Sequence, residues 1–537
     1  MRDSRWWAWR YPLALVAVLL LAAALRLYGI EWGLPSAQHP DYSYHPDEVP
    51  TMIWARWLAA GHIISKHFIW GGTLYFSILN VYWYFGALFG SMLHGINVLA
   101  DAILFGRYFL VGISLLTILL LYQTGRQLFD RRVGLLAGFL LAINPAHILW
   151  AQQVRPDQIA ALMSVLLTYL AALILRSDGT RDRKLFLFSG LALGLTIALR
   201  FPLGIFGVVP VVAYVWRDGP VGLRAILAKL VDRNIWMMVA AMLGTFVAAS
   251  PHSLLYFNTL LAGLQVTWQF ESNVFPDAVD MGPGIYQYGW LMLRQALGLP
   301  MCGLALAAMV LALYQRTSGQ RMVLVAVIPY FILTTFASWV VVRYTLPIVP
   351  LLLLLVAAGM VFLLRTLGRW RHVGTVALSV AVIWTLMGDL AFLRVEAQTN
   401  VREVASDWIR TRIPPGASIV TVESYRGDVF FNPVIPDDYR HYILNLGPGA
   451  DPQALAGRDY DYLVLSEAIY KNMERLGERH PSPETVALQQ TLQVGGYRLL
   501  QEIKQPVTFL GVDFQTSYTA LDFTVINPGI RVYQHER

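Results

Sequence analysis

Charged residues are scarce in this sequence. Only 14% of the 537 residues are Asp, Glu, Lys or Arg, whereas 56% are apolar; an average soluble domain carries about a quarter charged residues. The mean hydropathy is +0.51. This composition excludes a soluble globular enzyme, a disordered chain and a disulfide scaffold. It leaves a polytopic membrane protein, each span of which needs about 20 apolar residues.

Cysteine is nearly absent, because Cys302 is the only one. No intramolecular disulfide can form, so any exported part must fold without one. The sequence also lacks GxGxxG and GxxxxGK[ST] motifs, which argues against transport driven by a nucleotide bound to this chain. The net charge of +7 indicates the topology of the chain, because Lys and Arg gather in the short cytoplasmic loops of membrane proteins. It predicts no nucleic-acid partner.

The basic segments predict the direction of each span. Three arginines within the first ten residues precede an uncleaved first span at about 12–29, which places the N-terminus in the cytoplasm. The basic loop 125–132 must then also lie in the cytoplasm. Two apolar stretches, 73–93 and 107–124, separate the first span from this loop, so only one of them can cross the membrane. The polar and aromatic side chains of 73–93 suit an interfacial helix, and 107–124 is predicted to be the second span.

Eleven crossings follow, and they place the C-terminal part outside. Residues 1–392 are predicted to form the membrane domain, with external loops at about 30–105 and 252–290. Residues 393–537 are predicted to form a soluble extracytoplasmic α/β domain. Its predicted elements are a helix at 402–412 and strands at 417–422 and 460–465. The predicted spans are about 12–29, 107–124, 133–150, 158–175, 185–199, 201–216, 235–251, 295–314, 322–341, 345–364 and 373–391.

Two short motifs place carboxylates on the predicted outer face. The motif HPDE (45–48) lies in the first external loop, where a carboxylate can act as general base on an incoming hydroxyl. Pro46 followed by two acidic residues is equally a good helix start. The motif RPD (155–157) has the same two interpretations, since its Arg and Asp can simply pair with each other and begin a helix.

Three lone cations interrupt or abut apolar sequence on the predicted outer side: Lys66, Arg200 and Arg343. Ionisable groups facing a membrane cavity are candidates for function by default. Lys and Arg bind phosphate well, so a shared anionic ligand is one hypothesis. The alternative is that each side chain snorkels to the interface.

Two further features of the external loops bear on ligand binding. His39, Asp41 and His45 are potential metal ligands, but loop histidines and carboxylates usually are not, so a metal is possible and none is predicted. The long loop 252–290 is either a lid over a substrate or a cap on the helix bundle.

Four motifs in order along the chain resemble those of a known family: HPDE (45–48), NPAHILWAQQVRPD (144–157), LGLTIALRFP (193–202) and RYTLPIVP (343–350). The chain is similar to the polyprenyl-phosphate-sugar-dependent glycosyltransferases of the GT-C fold. That family includes the protein O-mannosyltransferases and the aminoarabinose transferases that act on lipid A. The resemblance implies a GT-C fold with an extracytoplasmic C-terminal domain.

The resemblance also implies a reaction and its residues. An inverting glycosyltransferase would move a sugar from a polyprenyl-phosphate donor to a hydroxyl of a glycan, glycolipid or protein at the outer face of the plasma membrane. Asp47 would be the general base, and Glu48 would assist it. No cofactor is required in principle, because protein cations can hold the departing phosphate. The implied sites are catalytic Asp47, Glu48 and Asp157, and donor-phosphate ligands Arg155, Arg200, Arg343, Tyr344 and Lys66.

Two other classes of protein compete with the transferase. A multi-pass lipid or sugar transporter or flippase would share the spans and the intramembrane cations. It should also show paired repeats or broken spans in two halves, and the sequence shows neither. A non-catalytic assembly scaffold would leave the acidic motifs on one membrane face unexplained.

Overall fold

The chain folds into a large helical part followed by a smaller α/β part. The computed structural model describes residues 3–93, 98–219, 222–272, 284–337, 341–366, 368, 371–423, 429–445, 460–476, 486, 488–490, 492, 496–517 and 521–536. The middle of the predicted external loop 252–290, at 273–283, therefore lies outside the described residues.

The helical part contains nineteen α-helices within the described ranges. They are α1 (Asp3–Leu27), α2 (Glu48–Ala59), α3 (Leu74–Leu93), α4 (Val98–Leu128), α5 (Arg131–Ala142), α6 (Pro145–Leu149), α7 (Asp157–Leu175), α8 (Asp182–Leu199), α9 (Val208–Trp216), α10 (Leu223–Leu230), α11 (Arg233–Ala249), α12 (His252–Leu255), α13 (Phe257–Ser272), α14 (Gly284–Tyr286), α15 (Leu293–Leu297), α16 (Leu299–Gln315), α17 (Ser318–Thr334), α18 (Val349–Thr366) and α19 (Arg371–Glu396). Shorter helical turns occupy Ser65–Phe68, Phe201–Gly207, Gln287–Met292 and Val342–Thr345.

The predicted polytopic helical class is confirmed, because most of the described residues of each predicted span are helical. Helices long and apolar enough to cross a membrane are Arg10–Leu27, Val98–Leu128, Asp157–Leu175, Val349–Thr366 and Arg371–Glu396. Shorter apolar helices are Leu74–Leu88, Phe201–Trp216, Arg233–Ala249, Leu299–Gln315 and Ser318–Thr334. The number of crossings and the interfacial placement of 73–93 stay predictions.

Helix α18 lies in the centre of the helical part. Every residue from Val349 to Met360 is buried, as expected for a helix that is apolar on all sides. Ser164 of α7 donates a hydrogen bond to the carbonyl oxygen of Pro347, at 2.6 Å, just before α18 begins. The start of α18 is therefore tied to the helix that carries Asp157.

The C-terminal part is an α/β unit, as predicted. Its helices α20 (Val401–Arg412), α21 (Glu467–Leu476) and α22 (Leu521–Thr524) accompany strands β1 (Ser418–Glu423), β2 (Arg440–Asn445), β3 (Tyr462–Ser466), β4 (Tyr497–Ile503), β5 (Thr508–Phe509), β6 (Val512–Asp513) and β7 (Ile530–His535). The predicted helix corresponds to α20, and the two predicted strands correspond to β1 and β3.

The main sheet has five strands in the order β2-β1-β3-β7-β4, and β5 pairs with β6 separately. Strand β1 runs parallel to both neighbours, with Val420 opposite Tyr442 and Leu463. Strand β7 is antiparallel to β3 and β4. All residues of β1 and β3 are buried, which explains why these two strands are continuous apolar or small-residue runs that the sequence makes visible.

Candidate active site

Interrupted helices bring the predicted site residues together. Asp47 is the residue that precedes α2, and Asp157 is the first residue of α7. Arg200 ends α8 in an extended conformation, with a φ of −152°, directly before the turn Phe201–Gly207. Prolines stand beside these breaks, at Pro156 for example, and a proline disfavours helical continuation of the residue before it.

A chain of alternating charges links three of these breaks. Arg155 contacts the Asp47 carboxylate through Nη1, and its Nε lies 3.5 Å from Oδ2 of Asp157. The other oxygen of Asp157 pairs with Nη1 of Arg200. The structure therefore joins HPDE, RPD and the end of α8 in one cluster, which we call the charge chain: Asp47, Arg155, Asp157 and Arg200.

The members of the charge chain differ in exposure. The Asp157 side chain is fully buried and that of Arg155 is 3% exposed, whereas 35% of the Asp47 side chain is exposed. Burial of paired charges is costly unless their geometry is good. Asp47 is thus the carboxylate of this chain that can meet a molecule arriving from outside the protein.

Aromatic rings cover three guanidinium groups of the site. The Arg155 guanidinium carbon lies 4.9 Å from the ring centroid of Trp70, and that of Arg200 lies 5.0 Å from the ring of Tyr344. Arg343 lies 5.8 Å from the ring of Trp150. Such contacts contribute about 2 kcal/mol when desolvated. They hold each guanidinium group close to a ring, and they give Tyr344 its place in the site.

Arg343 is paired with a carboxylate from the C-terminal part. Its Nη1 donates to Oδ1 of Asp522 at 2.9 Å, and the backbone N–H of Val342 donates to Oδ2 at 2.6 Å. Burial lowers the pKa of Arg343, but Asp522 and then Asp47 outweigh this and hold it above its usual value. Burial in turn raises the pKa of Asp522, and Arg343 opposes that rise.

Sequence reasoning missed Asp522. It is a single acidic residue 179 positions from Arg343, and no motif surrounds it. With Asp522 included, three guanidinium groups (Arg155, Arg200 and Arg343) face three carboxylates (Asp47, Asp157 and Asp522).

Glu48 lies beside Asp47 in sequence but has a different environment. It is fully buried, and both of its oxygens accept hydrogen bonds from Arg107, at 3.1 and 2.8 Å. Ser43 and the backbone N–H of Val154 donate to it as well, at 3.0 and 2.9 Å. Burial raises the pKa of Glu48, but the Arg107 guanidinium outweighs this and holds it below the usual value. This geometry favours a structural role over the predicted assistance to the base.

Arg107 is a second residue that sequence reasoning missed. Besides Glu48, its Nη1 donates to the carbonyl oxygens of Ile30 and Trp32, each at 2.7 Å. The signal was available, since a lone arginine at the start of an apolar run is costly unless it has partners. Arg107 fastens the first external segment to α4.

Lys66 is not brought into the cluster. Lys66 lies in the turn Ser65–Phe68, and its ammonium group is 5.1 Å from the centroid of the Trp54 ring. Among the described residues, the ion pairs and cation–π contacts of the charge chain do not involve Lys66. Its predicted role as a phosphate ligand stays a prediction that this geometry does not favour.

Two of the three potential metal ligands, His39 and His45, have other contacts. Nδ1 of His39 lies 2.8 Å from the carbonyl oxygen of Tyr42, and Nδ1 of His45 accepts a hydrogen bond from the N–H of Asp47 at 3.2 Å. Asp41 is exposed. Within the described ranges, no group of three or more His, Cys, Asp or Glu side chains is arranged to hold a metal ion. Burial lowers the pKa of His45 to about 4, so it is neutral near pH 7.

Buried guanidinium nitrogens of both Arg155 and Arg343 lack a hydrogen-bond partner among the described residues. Nε of Arg343 is buried, and no described residue accepts a hydrogen bond from it. Buried donors are nearly always satisfied in native proteins, and an exception calls for an explanation. Together with the excess of guanidinium N–H groups, this favours a site that accepts an anionic ligand.

The fold of the chain is similar to that of known membrane glycosyltransferases. ArnT from Cupriavidus metallidurans in the apo state has 14% sequence identity and a TM-score of 0.51, with 98% of each chain covered. ArnT from the same organism bound to undecaprenyl phosphate has 15% sequence identity and a TM-score of 0.50, again with 98% of each chain covered. The apo oligosaccharyltransferase of Archaeoglobus fulgidus has 13% identity and a TM-score of 0.51, covering 93% of this chain and 80% of that one. This likeness shows the GT-C fold.

The sequence comparison points to the same class of enzyme. Residues 82–254 match the family model of dolichyl-phosphate-mannose-protein mannosyltransferase. No curated protein sequence matches the chain. The match over 82–254 and the shared fold both agree with the predicted resemblance to the polyprenyl-phosphate-sugar glycosyltransferases of the GT-C fold. The predicted fold class is confirmed, and the match over 82–254 supports the predicted family resemblance and the predicted glycosyltransferase class.

Proposed function

We propose that the chain transfers a sugar from a polyprenyl-phosphate donor to a hydroxyl acceptor, with inversion at the anomeric carbon. The observation that carries the proposal is the charge chain, in which one partly exposed carboxylate, Asp47, is joined to buried arginines. A base and fixed positive charge in one site are what this reaction needs.

A phosphate-bearing lipid is the proposed donor. One structure of ArnT is bound to undecaprenyl phosphate, which supports this choice for a chain of the same fold. Arg155, Arg200 and Arg343 would hold the phosphate, since guanidinium groups bind phosphate oxygens in a bidentate fashion. Tyr344 would keep two of these guanidinium groups in place, because its ring lies 5.0 Å from Arg200 and 5.9 Å from Arg343.

The proposed step is a single displacement. Asp47 removes the proton of the acceptor hydroxyl while the hydroxyl oxygen attacks the anomeric carbon of the sugar. The bond between that carbon and the phosphate oxygen of the donor breaks. The lipid phosphate leaves with the bonding electron pair, and the arginines stabilise its charge. Phosphate is a good leaving group, so no general acid is required. Attack from the face opposite to the phosphate inverts the anomeric configuration, and the step needs no metal in principle.

Asp157 has a different proposed role from Asp47. Its fully buried carboxylate lies between Arg155 and Arg200, so it would orient both guanidinium groups and would not meet the acceptor. The site would lie on the outer face of the plasma membrane, with the N-terminus in the cytoplasm. The acceptor would be a glycan, a glycolipid or a protein hydroxyl.

Donor turnover tests the proposal. Purified protein is reconstituted with a mixture of polyprenyl-phosphate sugars and an envelope extract as acceptor, and wild type is compared with Asp47→Asn. The amide keeps the shape of the side chain but cannot accept the proton, so we expect turnover to fall by about 10²- to 10⁴-fold. Asp41→Asn, an exposed position in the same segment, is the matched control and should retain wild-type turnover.

Two outcomes would contradict the proposal. Equal turnover by wild type and Asp47→Asn would remove Asp47 as the base. Passage of the intact lipid-linked sugar between leaflets, without transfer, would favour the transporter interpretation. The anomeric configuration of the product, measured by NMR, tests inversion separately.

A further inference from the structure

The C-terminal part reaches into the candidate active site through Asp522. This residue lies in α22, and its side chain is fully buried. One carboxylate oxygen accepts from Nη1 of Arg343, and the other accepts from the backbone N–H of Val342. The same carboxylate thus holds both the side chain and the backbone of the turn Val342–Thr345, which precedes α18.

The segment that carries Asp522 is itself fixed against the helical part. The ring of Phe523 packs edge-on against that of Phe392 in α19, with centroids 5.2 Å apart and planes at 88°. The carbonyl oxygen of Val525 accepts a hydrogen bond from the buried Arg402 at 2.7 Å. The Arg402 guanidinium also lies 4.6 Å from the ring of Tyr44, in the segment that leads to Asp47. Contacts made by Phe523 and Val525 therefore hold the segment that places the Asp522 carboxylate at the site.

The pairing of Asp522 with Arg343 leaves donors for another ligand. The carboxylate takes one N–H of the guanidinium, whereas a bidentate pair would take two. Nε of Arg343 is buried without an acceptor among the described residues. The guanidinium is thus held at one nitrogen, and its carbon lies 5.8 Å from the centroid of the Trp150 ring. Such an arrangement orients the arginine and leaves some of its guanidinium N–H groups available to another acceptor.

We propose that Asp522 is a positioning residue, which orients Arg343 toward the phosphate of the donor. The C-terminal part would then complete the active site of the helical part and would not be an accessory module. This inference rests on the proposed function, because it assigns donor phosphate to Arg343. Asp522 does not touch the reacting atoms, and it acts through Arg343.

A double-mutant cycle tests this role. Donor turnover is measured for wild type, Asp522→Asn, Arg343→Ala and the double variant, with undecaprenyl-phosphate sugar varied to separate kcat from KM. Asparagine retains an acceptor for the Val342 N–H but loses the charge that holds Arg343. We expect Asp522→Asn to lower kcat/KM for the donor by about 10- to 100-fold, and to have less than about a twofold effect once Arg343 is absent.

Asp461→Asn is the matched control. Asp461 is also a carboxylate of the C-terminal part that accepts a backbone N–H, from Ser418 at 2.8 Å, but it lies at the start of the sheet and not at the site. It should leave kcat/KM within about twofold of wild type per folded molecule. Hydrogen exchange at the Val342 amide provides a readout besides activity: its protection should be kept in Asp522→Asn and Asp461→Asn, and it should fall in Asp522→Ala, which removes the acceptor of that N–H.

The outcomes separate the two proposals. If Arg343→Ala turns over donor like wild type, the phosphate role in the proposed function is wrong. If Arg343→Ala loses donor use but Asp522→Asn does not, the inference about Asp522 is wrong. Equal losses from Asp522→Asn with and without Arg343 would mean that Asp522 acts only through folding. Arg343→Lys replaces Arg343→Ala if the latter has no measurable turnover, and Asp522→Ser replaces Asp522→Asn if that variant does not fold.

Discussion

At the scale of single residues, Asp47 and Glu48 are adjacent in sequence, but their different environments give their carboxylates different roles. Asp47 is partly exposed, with Arg155 as its ion-pair partner. Glu48 is fully buried and is surrounded by Arg107, Ser43 and the Val154 amide. A base must be reachable by the acceptor, whereas a buried carboxylate with all its lone pairs engaged stabilises the fold. The two adjacent residues therefore have separable effects.

We expect Glu48→Gln to destabilise the protein by about 3–5 kcal/mol, because it leaves Arg107 buried without its counter-ion. Asp47→Asn should cost about 0–1 kcal/mol, since its carboxylate is partly solvated. Thermal unfolding in detergent measures both, with Glu31→Gln at an exposed position as control. A Glu48→Gln protein with wild-type stability but no turnover would contradict the structural role and restore Glu48 to the catalytic group.

At the scale of elements, the packing of α8 on α11 sets the position of Arg200. Gly190 and Gly194 stand four residues apart on α8, and a Cβ at either would collide with a carbonyl oxygen of α11, that of Met238 or Met242. Small residues at this spacing let membrane helices approach closely. Because α8 ends at Arg200, the depth of this helix contact decides where that guanidinium lies.

Gly190→Ala and Gly194→Ala should each destabilise the protein by about 1–3 kcal/mol, the usual cost of overpacking. Gly244→Ala is the matched control on α11, because a Cβ there meets nothing within 4 Å, and its stability should be unchanged or slightly higher. Thermal unfolding and donor turnover are measured together. Loss of stability in the control as large as in the two α8 variants would contradict the close helix contact.

At the scale of the whole molecule, orientation in the membrane is the open prediction. The charge pattern places 176–184 inside, and it places the C-terminal part and the segment after 73–93 outside. Single cysteines are introduced in a Cys302→Ala background at Leu99, Asp178 and Arg498. An impermeant thiol reagent added to intact cells should label the first and third, and Asp178→Cys should label only after the membrane is opened. Labelling of Leu99→Cys only from the cytoplasm would contradict the interfacial assignment of 73–93.

The fold was largely predictable because a membrane simplifies the sequence pattern. Spans must satisfy their own backbone hydrogen bonds and be apolar, so α1, α4, α7, α18 and α19 appear as long apolar runs. The interruptions of predicted spans were not visible. The predicted span 133–150 divides at Asn144, whose side chain accepts from the His147 N–H at 2.9 Å and begins α6. Such a cap is a local hydrogen bond inside an apolar run, and hydropathy averages over it.

The sequence by itself determined the membrane class, the order of the motifs and the residues that belong to them, because span length, charge bias and proline positions are local properties of the chain. Only the tertiary structure decided how those residues are used. It joined Asp47, Arg155, Asp157 and Arg200 in one charge chain, engaged Glu48 with Arg107 and brought Asp522 to Arg343. Pairing of buried charges depends on which partners the folded chain brings within a few ångströms, and sequence separation carries no information on that distance.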